Sequence, residues 1–129
     1  MAEFVLKDML NGRDDVFVAS AATSTEEIGN GVHPGTAGLL RRKGISTAGK
    51  RAVQMTRADY DEYDYIIGMD DWNIRNILRI TGGDPERKVH KLLEFAGESG
   101  DIADPWYTHD FETTYRDVLK GCEGLMREL

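Results

Sequence analysis

The stretch YDYIIGMDDWNIRNILRITGG, residues 63–83, decides the fold of this chain. Tyr65, Ile66, Ile67, Gly68 and Met69 form a short, mostly apolar run that reads as a buried strand. It ends at Asp70-Asp71. Either carboxylate can cap the N–H groups that open a helix over 72–80, which Gly82-Gly83 and Pro85 then stop. A buried strand feeding straight into a capped helix is the repeating unit of an α/β protein.

The flanks extend the pattern. Downstream, Val89, Leu92, Leu93 and Phe95 have mixed spacing, and the first part of 88–95 reads as another strand. Phe111, Tyr115, Val118, Leu119, Cys122, Leu125 and Met126 recur every three or four residues behind Asp110, which predicts a long N-capped amphipathic helix. Upstream, Thr56-Arg57-Ala58-Asp59 resembles a capping box with Asp in place of Glu. Pro34 opens a short helix that Arg41-Arg42-Lys43 and Gly44 close. Val16-Phe17-Val18-Ala19 is a further candidate buried strand, followed by a small, polar, glycine-bearing loop over 20–31. At the start, Phe4, Val5, Leu6, Met9 and Leu10 share an apolar helical stripe that leaves Glu3, Lys7 and Asp8 elsewhere around the axis, and Gly12 can end that helix. No Ser, Thr, Asp or Asn caps its beginning.

Helices alternating with short apolar strands imply a three-layer α/β sandwich with a parallel sheet. At 129 residues the chain reads as one domain, 1–129. Its formal charge of −7 argues against general attraction to nucleic acid or anionic lipid. The single cysteine, Cys122, allows no internal disulfide and fits a reducing compartment, so the cytoplasm is the expected location. No apolar run suggests a membrane span. His33, His90 and His109 lack paired metal spacing, so no metal and no cofactor is expected.

Sites in this class lie at the carboxyl ends of strands, here the loop after Ala19, the turn at Asp70 and residues 101–107. Asp104-Pro105-Trp106-Tyr107 is the most informative. Proline holds Asp104 extended, a carboxyl beside aromatic rings suits a general acid, and the rings suit a phenol. The competing reading is an Asp-Pro turn whose aromatics plug the core. Asp70 could accept a phosphoryl group as in receiver domains, but the acidic pair and lysine such chemistry needs have no clear counterparts, and helix capping accounts for it better.

Taken in order, Val18-Ala19-Ser20-Ala21-Ala22-Thr23-Ser24, Leu40-Arg41-Arg42-Lys43-Gly44-Ile45, Arg51-Ala52-Val53-Gln54-Met55-Thr56, Tyr63-Asp64-Tyr65-Ile66-Ile67-Gly68-Met69-Asp70, Asn73, and Asp104-Pro105-Trp106-Tyr107 with Phe111-Glu112 resemble the low-molecular-weight protein tyrosine phosphatases. The resemblance runs nearly end to end. It implies hydrolysis of phosphotyrosine, in a protein or a small aryl phosphate, through a phosphocysteine held in a Cys-x5-Arg loop. By that resemblance Asp104 is the catalytic acid, Trp106 and Tyr107 are the substrate's aromatic wall, and Ser20 matches a serine that hydrogen-bonds the loop. Glu26 stands where a wall aromatic is frequent and Gly49 where a supporting histidine often sits.

Met1-Ala2-Glu3 matches the point just after that loop, so the resemblance places the central first strand, the nucleophile and its arginine upstream of residue 1. Cys122 and Arg127 are separated by four residues rather than five and cannot replace them. The expectations are therefore an N-terminally truncated domain lacking its central strand, no turnover by the chain as written, and a sheet that closes up, loses stability or associates through exposed edges into a homo-oligomer. The alternative is a non-catalytic phosphopeptide-binding or regulatory pseudophosphatase.

Overall fold

The computed structural model describes residues 1–23, 29, 31–51 and 53–129, and the backbone alone at Trp106. Residues 24–28, with the expectation attached to Glu26, lie outside this description.

The deciding stretch folds as its chemistry dictates. Ile66–Gly68 is strand β1, and the side chain of Asp70 accepts the Asn73 N–H (2.7 Å) to cap the helix Asp71–Thr81, which is α4. Gly82, left-handed at φ 76°, closes that helix. Strand β2, Val89–Lys91, lies parallel to β1, with Ile66 opposite Val89, Ile67 opposite His90 and Gly68 opposite Lys91. Leu92–Ala96 continues as a 3-10 turn.

Four helices complete the frame that matters here: α1 (Ala2–Leu10), α2 (Pro34–Arg42), α3 (Ala58–Glu62) and α5 (Pro105–Thr108). The last helix, α6 (Phe111–Met126), begins where expected, with Asp110 accepting the Thr113 N–H (3.1 Å). It packs on the 3-10 turn through glycines. A methyl group at Gly121 would collide with Leu92, and one at Gly124 with the main chain of Phe95. Ahead of α3, only half of a capping box forms, the Asp59 carboxylate accepting the Thr56 N–H (2.8 Å). Asn11, at φ 46°, takes the left-handed position that ends α1, one residue before Gly12.

The two-residue alternation of β1 divides the core. Ile66 joins Met55, Tyr60 and Ile77 on one side, while Ile67 packs on the other side against the cluster of Val5, Leu40, Leu92, Ile102, Val118 and Cys122. Helix α4 covers β1 and β2, and α1 packs against α6. This is the α/β architecture expected, with a sheet of only two strands among the described residues.

One expected strand is absent. Residues 16–19 run without ladder pairing among the described residues, and Phe17 is 78% exposed, its ring 6.1 Å from that of Tyr63. An apolar run becomes a strand only when another backbone answers its N–H and C=O groups. Here pairing begins further on, as one parallel bridge between Ala22 and Gln54. Ala22 N–H donates to Val53 O and Met55 N–H donates to Ala22 O, both at 2.7 Å. That fragment is not hydrogen-bonded to β1 among the described residues, where the expected closing of the sheet is not seen.

Candidate active site

Lys91, the last residue of β2, organises the carboxyl end of the sheet. Its ammonium lies 2.9 Å from Asp101 Oδ1 and 3.0 Å from Asp71 Oδ1, and it donates to the Ser99 carbonyl at 2.7 Å. The hydrogen bonds to Asp101 and then Asp71 push the lysine pKa up. Asp101 also accepts the Asp71 N–H (3.2 Å), which ties the first residue of α4 to the loop beyond the 3-10 turn. Next along that loop, Ile102 is buried and its N–H donates to the Met69 carbonyl (2.8 Å), just past β1. Ala103 O accepts the hydroxyl of Thr114, on α6, at 3.0 Å. The chain then delivers Asp104, whose carbonyl accepts Tyr107 N–H (3.1 Å) and Thr108 N–H (3.3 Å) as α5 begins. Asp104 is exposed and Tyr107 is 80% exposed, so the tyrosine does not plug the core.

Asp70 and Asn73 are fully occupied in shaping the neighbouring turn. Asp70 caps α4, and Asn73 Oδ1 accepts the Met69 N–H at 2.9 Å.

Ser20 sits in a second cluster. Its hydroxyl donates to Glu3 Oε1 (2.5 Å), and the same carboxylate pairs with Lys50 (2.8 Å) and Lys7 (2.6 Å). Lys50 also donates to the Ser20 carbonyl (3.3 Å). Glu3 is buried, contrary to the helical reading that left it off the packed face. Burial alone raises a carboxyl pKa, but the hydrogen bonds from Lys50, Lys7 and Ser20 overcome it and hold Glu3 at about 2. Ser20, Lys50, Met1, Phe4, His33 and Thr36 are among the residues lining a cleft of about 310 Å³. Asp104 and Tyr107 do not line it. At the head of α6, the His33 ring stacks 5.4 Å from that of Phe111. His33 Nδ1 accepts the Gly35 N–H (3.1 Å), a cap for α2 that no sequence rule for Ser, Thr, Asp or Asn would find.

Cys122 is 1% exposed, and burial pushes its thiol up to about 12. It is a core residue. Among the described residues no cluster of His, Cys, Asp and Glu could hold a metal, and no helix is long and apolar enough to cross a membrane.

Over all of residues 1–129 the sequence matches the model of the low molecular weight phosphotyrosine protein phosphatase family. The chain belongs to that family. Among the phosphatases it resembles, the low molecular weight protein-tyrosine-phosphatase YfkJ of Bacillus subtilis is 35% identical over an alignment of 136 residues, covering all of this chain and 86% of that protein. The corresponding phosphatase PtpA of Staphylococcus aureus is 35% identical, over 98% of this chain and 82% of its own. The crystal structure of YfkJ superposes with a TM-score of 0.91 over 98% of this chain and 83% of that one. That of SP-PTP from Streptococcus pyogenes, 38% identical, gives 0.88 over 99% and 82%. Phosphatase membership thus agrees with the α/β frame. The sequence singled out Asp104, Tyr107 and Ser20, but neither Lys91 nor the Glu3–Lys50 pair; the Trp106 side chain lies outside the described residues.

Proposed function

We propose that these residues carry the proton-transfer half of phosphotyrosine hydrolysis, with Asp104 as general acid. The substrate is a phosphotyrosine-containing protein or a small aryl phosphate. In the first step a thiolate forms a bond to phosphorus as the bond to the phenolic oxygen breaks, and the Asp104 carboxyl gives that oxygen its proton. In the second, the Asp104 carboxylate takes a proton from the water that displaces sulfur from phosphorus. Trp106 and Tyr107 flank the substrate ring, and Ser20, whose hydroxyl donates to Glu3, supports the phosphate-binding loop by accepting a hydrogen bond.

The observation that carries this reading is the fastening of 101–103 to the carboxyl end of β1, through the Ile102–Met69 hydrogen bond and the Lys91 ion pairs. It supports a fixed position for the carboxyl that follows. The thiolate is not Cys122, whose raised pKa leaves it protonated and buried. These 129 residues, as a single phosphatase-like domain in a reducing cytoplasm, therefore do not turn over phosphate esters by themselves. The outer edge of β1 has no ladder partner among the described residues, and with exposed Phe17 it supports self-association of the chain.

The 129-residue polypeptide should show no vanadate-sensitive hydrolysis of phenyl phosphate. A form carrying a strand and a Cys-x5-Arg loop ahead of Met1 should gain it. In that form Asp104→Asn should lower kcat by about 10²–10⁴-fold, the range for a general acid. Vanadate-sensitive turnover by the shorter polypeptide, or an unchanged kcat in Asp104→Asn, would overturn the reading.

A further inference from the structure

We infer that Lys91 is a positioning residue for Asp104, a role that rests on the reading of Asp104 as the proton donor. Its side chain is 13% exposed, and its three contacts, with Asp101, Asp71 and the Ser99 carbonyl, match the three donors of an ammonium. Those partners belong to the start of α4 and to the segment leading into Asp104. Asp71 and Asp101 each come within 3.0 Å of one nitrogen, so the ammonium is what lets two carboxylates meet there. Without it, like charges face each other, and the segment three residues before Asp104 is driven away from the sheet. The contrast with the pair Lys120–Glu98 lies at the lysine end, 13% exposed in Lys91 against 48% in Lys120, since the side chains of Asp71 and Asp101, at 67% and 46%, are as open to solvent as Glu98 at 44%. Lys91 holds the first point of a run of successive fastenings, Asp101 to Lys91, Ile102 to Met69 and Ala103 to Thr114, that leads into Asp104.

The test has two arms. In the 129-residue chain, Lys91→Met should speed hydrogen exchange of the Ile102 N–H by at least about tenfold relative to amides of α6, with Lys91→Arg restoring it. In the form carrying the Cys-x5-Arg loop, Lys91→Met should lower kcat for phenyl phosphate by about 10²-fold, the cost of a misplacement near 1 Å. KM should stay within about twofold, Lys91→Arg should recover kcat, and Lys91→Met should have no further effect in an Asp104→Asn background. Unchanged exchange at Ile102, or a rise shared equally by α6, overturns the inference. So does an unchanged kcat in Lys91→Met while Asp104→Asn is slow, which leaves the acid reading standing. An unchanged kcat in Asp104→Asn removes the acid reading and this role together.

Discussion

Replacing Glu3 by Gln should make the chain less stable at neutral pH and flatten its response to acid. The folded carboxyl titrates near 2 against an ordinary 4.5, because Lys50, Lys7 and Ser20 all bond to its charged form. At about 1.4 kcal/mol per pH unit, that difference corresponds to roughly 3 kcal/mol. Half-exposed Lys7 is screened by water, which brings the figure to about 2 kcal/mol. The sign follows from the folded pKa being the lower one. The contribution is complete above about pH 5 and is lost as pH falls from there through 2. Denaturant unfolding of wild type and Glu3→Gln at a series of acidic pH values isolates it, since titrating groups remote from Glu3 cancel in the difference and the neighbouring Met1, Lys7 and Lys50 amines stay protonated there. A gap of about 2 kcal/mol at pH 7 should shrink by roughly three-fifths at pH 3.5. A gap independent of pH, or one below about 0.5 kcal/mol at pH 7, would refute the idea that this buried carboxylate works through its charge.

Cys122 should resist a water-soluble disulfide reagent at pH 8 in the folded chain and react fully once guanidinium unfolds it; rapid labelling of the native protein would contradict its raised pKa. Gly124→Ala should cost about 1–3 kcal/mol by urea unfolding, because its methyl meets the Phe95 main chain, which cannot rotate aside. Gly97→Ala is a useful partner, since only its left-handed φ of 77° and no neighbouring atom opposes the new methyl.

The sequence was most legible where structure is local. Asp70 and Asp110 announce their helices because a carboxylate needs only N–H groups two or three residues ahead, and both make those bonds. The strand at 66–68 was readable for a similar reason, lying in a short apolar run with clear boundaries, whereas 89–91 is Val89-His90-Lys91 and was expected only as the first part of a segment of mixed spacing. Residues 16–19 carry the same apolar signal yet form no strand, since a ladder depends on a neighbour that periodicity cannot see. Glu3 was misread because the helical wheel sorts residues by polarity, while its burial depends on Lys50 from a distant loop. Around the candidate site, Asp-Pro and the adjacent aromatics were conspicuous, whereas Lys91 is an ordinary lysine until folding gathers Asp71 and Asp101 around it. Family resemblance reached Ser20, but only the coordinates reveal that its hydroxyl serves Glu3.

The bond from Ile102 to Met69 joins two peptide groups rather than two side chains. Nineteen of the twenty amino acids supply the same N–H at position 102, and all twenty supply the carbonyl at 69. The side chains at 69 and 102 can therefore change without loosening the hook that ties this loop to the sheet; at 102 proline alone would unfasten it.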